Sequence, residues 1–300
     1  MRVLITGGSG LVGSHLAELL SSTGYEVRIL SRSMAKLSKF KSFFWDPLLE
    51  KIDETALHGV DYVIHLSGAN IMERRWSNQR KDEIITSRTQ STKLLIKAVK
   101  KNNIKLKAFI SASATGFYGS QTLEKVFEES DPPHSDFLGE SCRLWESSSH
   151  ELTALNIRKA HLRIGVVLAK KGGALEQMVK PVSLGLGSPF GSGTQYMPWI
   201  HIDDLCQIFA SVIENSTIEG PYNAVAPESV VNHVFIKKIA ERLRKPFWPT
   251  RVPAFFLKLL LGEMSTVVLC GSRVSSSKIT STGFRFKYGT LSKALDDLLL

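Results

Sequence analysis

The stretch ITGGSGLVGSHL, residues 5–16, sets three glycines at a fixed spacing, Gly7-x-x-Gly10-x-x-Gly13, between an apolar run and an amphipathic one. The run before it, RVLIT (2–6), has the texture of a strand buried on both faces of a sheet. The run after it puts Leu11, Leu16, Leu19 and Leu20 on one face of a helix. Glycines at such a junction let the chain turn sharply and bring bare backbone N–H groups to the helix N-terminus, where they can meet the pyrophosphate of a dinucleotide. The third glycine lets the helix pack close to the strand. The spacing alone arises by chance in glycine-rich turns; a strand before it and a helix after it give it meaning. Gly7, Gly10, Leu11, Val12 and Gly13 are therefore the candidate cradle.

The next strand, EVRIL (26–30), runs into Ser31 and Arg32. A chain that prefers NAD usually places an acid there to hold the ribose 2′-hydroxyl. A guanidinium with a hydroxyl neighbour suits a 2′-phosphate instead, which points to NADP(H). An exposed surface arginine is the plain alternative. Further apolar runs, DYVIHLS (61–67), KAFISAS (107–113) and HLRIGVVL (161–168), alternate with helical patterns, among them a long helix over 76–101. That is the rhythm of βαβ units, so the expected fold class is α/β, a doubly wound parallel Rossmann sheet. After residue 169 the texture changes. A Gly- and Pro-punctuated loop spans 185–198, WIHIDDLCQIFASVIE (199–214) returns to strand-then-helix, Asn232 reads as an N-cap, and the last fifty residues look helical. The expected division is 1–169 with 199–226 returning to it as the nucleotide-binding domain, and 170–198 with 227–300 as a smaller, mostly helical substrate domain.

Three hundred residues with 43% hydrophobic and 22% charged side chains can bury a large core. The net charge of +10 favours an anionic partner, but the basic residues are dispersed and lack aromatic interleaving, so nucleic acid ranks last. Lys97, Lys100 and Lys101 read as a solvated helix end. Cys142, Cys206 and Cys270 form no CxxC pair, which suits a reducing compartment. No leader is legible and AFFLKLLLG is too short to span a bilayer, so the expectation is a cytoplasmic chain without a membrane partner. The eight histidines make no clustered ligand set, and no metal is expected.

GGSGLVG, HLSGAN (65–70), SRTQSTKLL (87–95), SASATGFYG (111–119) and WIHIDDL (199–205) together resemble the extended short-chain dehydrogenase/reductases, the sugar-nucleotide epimerases, dehydratases and their relatives. The closing VPAFFLKLLLGEM…GFRFKYGTLSKALDDLL is similar to their atypical "epimerase family protein" subgroup. The resemblance implies that Leu66, Ser67 and Val167 line the cofactor and that Ser113 bonds a substrate oxygen, unless it is a buried strand-end serine. It also implies a Tyr-x-x-x-Lys pair on the helix carrying SDFLGESCRLWE (135–146), in which the lysine lowers the tyrosine's pKa and the tyrosine moves a proton. Counting back from Glu146, the lysine slot is Cys142 and the tyrosine slot is Leu138; Phe137 and Ser141 do not repair the pair. Where the family carries a helix asparagine, this chain has Arg88, a cation that can anchor an anion but is a poor proton shuttle. Glu83 could accept from cofactor hydroxyls or belong to a surface ion pair. Cys142 reads either as a packing residue or as a thiol activated by Arg143 and a helix start. Tyr118, His134 and Tyr196 are the other candidate proton donors.

Two functions remain. One is an NADP(H)-dependent oxidoreductase or nucleotide-sugar-epimerase-like enzyme with a rearranged proton relay, acting on a small molecule such as a phosphorylated or nucleotide-linked sugar. The other is a non-catalytic NADP(H)-binding redox sensor or scaffold. Fold alone does not choose between them.

Overall fold

A computed structural model describes residues 1–33, 39–120 and 124–300. Its centre is β1 (Arg2–Thr6), flanked in parallel by β2 (Glu26–Ser31) on one side and by β5 (Tyr62–His65) on the other. Beyond β2 lie β3 (Lys41–Asp46) and a short antiparallel β4 (Lys51–Ile52). Beyond β5 come β6 (Ala108–Ala114), β8 (Arg158–Ile164) and β11 (Gly220–Ala224), all parallel. The strand order is therefore β11-β8-β6-β5-β1-β2-β3-β4, and the winding direction reverses between β1 and β5. In a doubly wound sheet the crevice at the carboxyl ends of those two strands is where a ligand binds. The fold is a Rossmann-type parallel sheet.

Alternation along β1 explains why its sequence is apolar throughout. Val3 and Ile5 join the core under α1 (Leu11–Ser22) and α5 (Ile202–Glu214), while Leu4 joins the opposite core under α2 (Asn78–Lys101). His65, at the end of β5, is fully buried and links Thr6 Oγ1 (2.7 Å) to Ser91 Oγ (3.0 Å) on α2, and burial pushes its pKa down to about 3. Lys97 and Lys101 project from the end of α2 and pair with Glu50 and Glu54 on the surface.

Two local expectations need correction. HLRIGVVL is not one strand. It breaks at Gly165, and β9 (Val166–Leu168) leaves the main sheet to pair in parallel with β10 (Trp199–His201). A Cβ at Gly165 would sit 2.6 Å from the Pro198 carbonyl oxygen, so this crossing requires glycine. Asn232 is not the cap of α6 (Asn232–Arg242) but its first residue; its amide oxygen accepts from the Phe190 N–H (2.8 Å) and ties the helix to the preceding loop.

A third core gathers α4 (Gly173–Ser183), α6 and α10 (Leu291–Leu299) around Leu175, Trp199, Phe235, Ile239 and Leu295. Asp204 on α5 is buried and accepts the backbone N–H groups of Lys287 and Tyr288, which fastens the C-terminal segment to the Rossmann core. β7 (Val126–Phe127) pairs with β12 (Arg273–Val274), and the short helices α7 (Ala254–Leu261), α8 (Thr266–Leu269) and α9 (Ser277–Ser281) complete the chain. Among the described residues no helix is long and apolar enough to cross a membrane.

Candidate cofactor and substrate site

α3 (Phe137–Ser147) starts at Asp136, whose carboxylate accepts the Gly139 N–H. α1 starts differently. Its N-cap is Gly10, with no side-chain capping bond and no acid in the first turn, so the leading N–H groups are left to an anion from outside the chain. Gly7 has φ +71° and accepts the Gly10 N–H at 3.0 Å. A Cβ at Gly13 would lie 2.2 Å from the Gly7 carbonyl oxygen, which only glycine avoids. The loop after β5 is drawn to the same place, since Thr6 Oγ1 accepts from the N–H groups of Leu66 (3.2 Å) and Ser67 (3.3 Å). Backbone cradle, helix N-terminus and switch point thus coincide, as a dinucleotide pyrophosphate needs. At the end of β2, Ser31 Oγ donates to the Ser33 carbonyl (2.9 Å), and Arg32 stands exposed with no ion pair among the described residues.

A cavity of about 490 Å³ opens from the cradle, running from Leu11 and Val12 past Ala114 and Val167 to Tyr196 and the segment 266–272. Leu138, Ser141, Cys142 and Trp145, at helical spacings of three and four, turn one face of α3 into it. The tyrosine and lysine slots counted from the sequence therefore both face the cavity, and neither carries a group able to perform the expected proton transfer.

Arg88 supplies the charge in this cavity and is the only charged side chain among its described lining residues. Its Nη1 donates to the Ile84 carbonyl (2.8 Å) and its Nη2 to the Ala69 carbonyl (3.1 Å), while the guanidinium lies over the Trp145 ring at 4.9 Å. It forms no ion pair among the described residues, and burial lowers its pKa. A partly desolvated cation with no carboxylate beside it among the described residues has the chemistry to hold an anion or to donate to sugar hydroxyls.

The structure places several expected residues elsewhere. Cys142 is not activated: it sits in mid-helix, Arg143 turns outward into a bidentate pair with Glu140, and burial pushes the thiol up to about 12 although Arg88 pulls the other way. At neutral pH it is a thiol, and a poor nucleophile. Ser113 is buried, and its hydroxyl donates to Glu146 Oε1 (2.7 Å), a carboxylate already paired with Arg163 (2.9 Å). It therefore does not reach the cavity. Tyr118 is fully buried, donates to Asn223 Oδ1 (2.7 Å), accepts from Arg163 Nη1 (3.0 Å), and is pushed up to about 12 by burial. It braces the far side of β8 and is no proton donor to the cavity. Glu83 is held on the surface of α2 by Arg74 (2.5 Å) and Arg80 (2.8 Å). His134 Nδ1 accepts the Asp136 N–H (3.3 Å) outside the cavity, whereas Tyr196 lines it. The sequence reading missed Thr115 and Trp145, which also line it. The signal for Trp145 was its place seven residues after Leu138.

Known proteins resemble this chain along its whole length. The model of a family described as NAD dependent epimerase/dehydratase matches residues 3–225, and a domain of unknown function, DUF1731, matches 252–298. The epimerase family protein YfhF of Bacillus subtilis is 37% identical over 301 residues, covering 100% of this chain and 98% of that protein. A crystal structure of a human epimerase family protein, SDR39U1, with NADPH superposes with a TM-score of 0.89 at 31% identity, covering 99% of each chain. A Corynebacterium glutamicum protein described as a nucleoside-diphosphate sugar epimerase gives a TM-score of 0.81 at 32% identity, with 99% of this chain matching 58% of that one.

Proposed function

The chain belongs to the NAD dependent epimerase/dehydratase family, and on that premise we propose that it is an NADP(H)-dependent oxidoreductase or epimerase-like enzyme acting on a small molecule, with a proton relay that does not run along α3. The observation that carries this reading is the uncapped N-terminus of α1 opening into a cavity that holds one half-buried cation, Arg88, with no ion pair among the described residues. The N–H groups of Leu11 and Val12 would hold the pyrophosphate, Ser31 and Arg32 the 2′-phosphate, with Leu66, Ser67 and Val167 flanking the cofactor. The NADPH in the human relative's crystal structure supports the phosphorylated form. A bound nicotinamide supplies a hydride donor or acceptor.

The chain's own residues do the rest. Aliphatic walls from Ile84, Leu138, Val167 and Met178 exclude water, and Arg88 holds a fixed positive charge at the site. Thr115, Ser141 and Tyr196 are the candidate proton carriers in the lining, although the Tyr196 hydroxyl donates to Glu124 (3.3 Å), which does not line the cavity. Residues 170–198 and 227–300 form the substrate-facing part, against 1–169 and 199–226 for the cofactor. A nucleotide-linked sugar would bring its own diphosphate to a lining with a single cation, so a less highly charged small molecule suits these walls better. The second reading, a non-catalytic NADP(H) sensor, draws on Leu138 and the protonated Cys142 facing the cavity where a tyrosine and lysine would act.

Fluorescence titration tests the cofactor assignment. NADPH should bind tenfold or more tighter than NADH, since each charge-assisted bond to the 2′-phosphate contributes about 1.5–3 kcal/mol, and Arg32→Asp should erase the preference. Equal affinities for the two forms would end the NADP(H) reading.

A further inference from the structure

α7 buries none of its eight side chains. Phe255 is 72% exposed, Phe256 50%, Leu259 73% and Leu260 59%, and their spacing makes two i,i+4 stripes on the outer side. The helix is nonetheless docked. Leu261 packs against Trp76, Ile84 and Met264, and the Arg75 guanidinium donates to the carbonyls of Leu259 and Leu260. What faces outward is thus a fixed surface rather than a frayed end.

The segment before the helix also exposes apolar side chains. Trp248, 51% exposed, is pinned by its backbone N–H to the Gly187 carbonyl and its indole N–H to the Gly185 carbonyl, both at 2.8 Å. Leu184 and Leu186 beside it are 77% and 65% exposed. Apolar surface on this scale marks an interaction site. From residue 243 to 262 the sequence has four basic residues, Arg244, Lys245, Arg251 and Lys258, all exposed, and no acidic one; the flanking acids Glu241 and Glu263 are paired with Lys237 and Lys81.

We propose that this face, α7 with Trp248, docks on the surface of an anionic phospholipid bilayer. A helix of eight residues is roughly 12 Å long and cannot cross a hydrocarbon core of about 30 Å, but it can lie in the interface. Aromatic and leucine side chains on the outer side with cations around them are the arrangement such helices use, the apolar groups entering the acyl boundary while the cations meet lipid phosphates. A second copy of the chain is a poorer occupant. Self-complementary pairing would set the same four cations against their equivalents, and the adjoining acid, Glu263, is already paired with Lys81. The shortness of AFFLKLLLG argues only against a span.

Co-sedimentation with vesicles tests the proposal, using phosphatidylcholine alone and phosphatidylcholine mixed with phosphatidylglycerol. The full chain should sediment with the mixed vesicles and stay in solution with the neutral ones, and added salt should weaken the binding. The double variant Phe255→Ser, Leu259→Ser should partition at least roughly tenfold more weakly, with an unchanged Tm and unchanged NADPH affinity. Wild-type protein left in the supernatant with anionic vesicles would overturn the proposal, as would a double variant that sediments like wild type. Light scattering that shows a wild-type dimer converted to monomer by the same double variant would assign the face to a second copy instead.

Discussion

Replacing Arg88 by asparagine, the residue the extended family carries there, separates a ligand-binding role from a structural one. In the folded chain the guanidinium gives up its hydration for two carbonyl acceptors, Ile84 (2.8 Å) and Ala69 (3.1 Å), and the Trp145 face. Bonds from a charged donor contribute about 1.5–3 kcal/mol each. Desolvating the cation without a carboxylate partner costs several kcal/mol in the other direction, and the lowered pKa reports that cost. The opposing terms nearly offset, so Arg88→Asn should change the unfolding free energy by no more than about 1 kcal/mol. Binding is a different matter. Loss of one charge-assisted bond to a ribose hydroxyl or to an anionic ligand weakens affinity by roughly 10- to 150-fold. Urea unfolding and NADPH fluorescence titration on the same preparations give both numbers. A variant that loses several kcal/mol of stability while binding NADPH and any substrate like wild type would make Arg88 a strut between the loop after β5 and α2, and the reasoning would fail.

Two further outcomes follow from the buried groups. In native protein at pH 7.5, iodoacetamide should label Cys270 well before Cys142, whose thiol is pushed up to about 12; peptide mapping that finds Cys142 modified first would restore it as a reactive group. His65 and His161 are held neutral by burial, at about 3 and about 4, so the unfolded chain binds more protons than the folded one below pH ~6.5. Their contribution is complete above that pH and is lost as pH falls towards the folded values, which predicts about 2–4 kcal/mol less stability at pH 5 than at pH 7. Urea midpoints and slopes that coincide at the two pH values would contradict the neutral, buried state.

The parts of the fold written in local pattern were legible from the sequence. Gly7, Gly10 and Gly13 between RVLIT and an amphipathic helix are a local signal, and so was the count that put Leu138 and Cys142 on the cavity face. What escaped depends on partners distant in sequence. Whether Ser113 faces substrate or Glu146 turns on α3, thirty-three residues on, and Tyr118 is fixed by Asn223, more than a hundred residues away. Glu83 is taken up by Arg74 and Arg80, whose charges were visible but whose geometry was not. The break at Gly165 reflects the later Pro198 carbonyl. β3 was missed because KSFFWD carries only a weak alternation, with Phe43 and Trp45 buried and Phe44 exposed.

The central claim is that NADPH enters along the uncapped end of α1 with its nicotinamide half in the cavity of Arg88, Leu138 and Cys142. A crystal structure of the chain grown with NADPH measures this directly. The account predicts the pyrophosphate within hydrogen-bond reach of the Leu11 and Val12 N–H groups, the 2′-phosphate at Arg32, and the nicotinamide riboside inside the cavity. A pyrophosphate bound away from the α1 N-terminus, or a nicotinamide half lying outside that cavity, would contradict it.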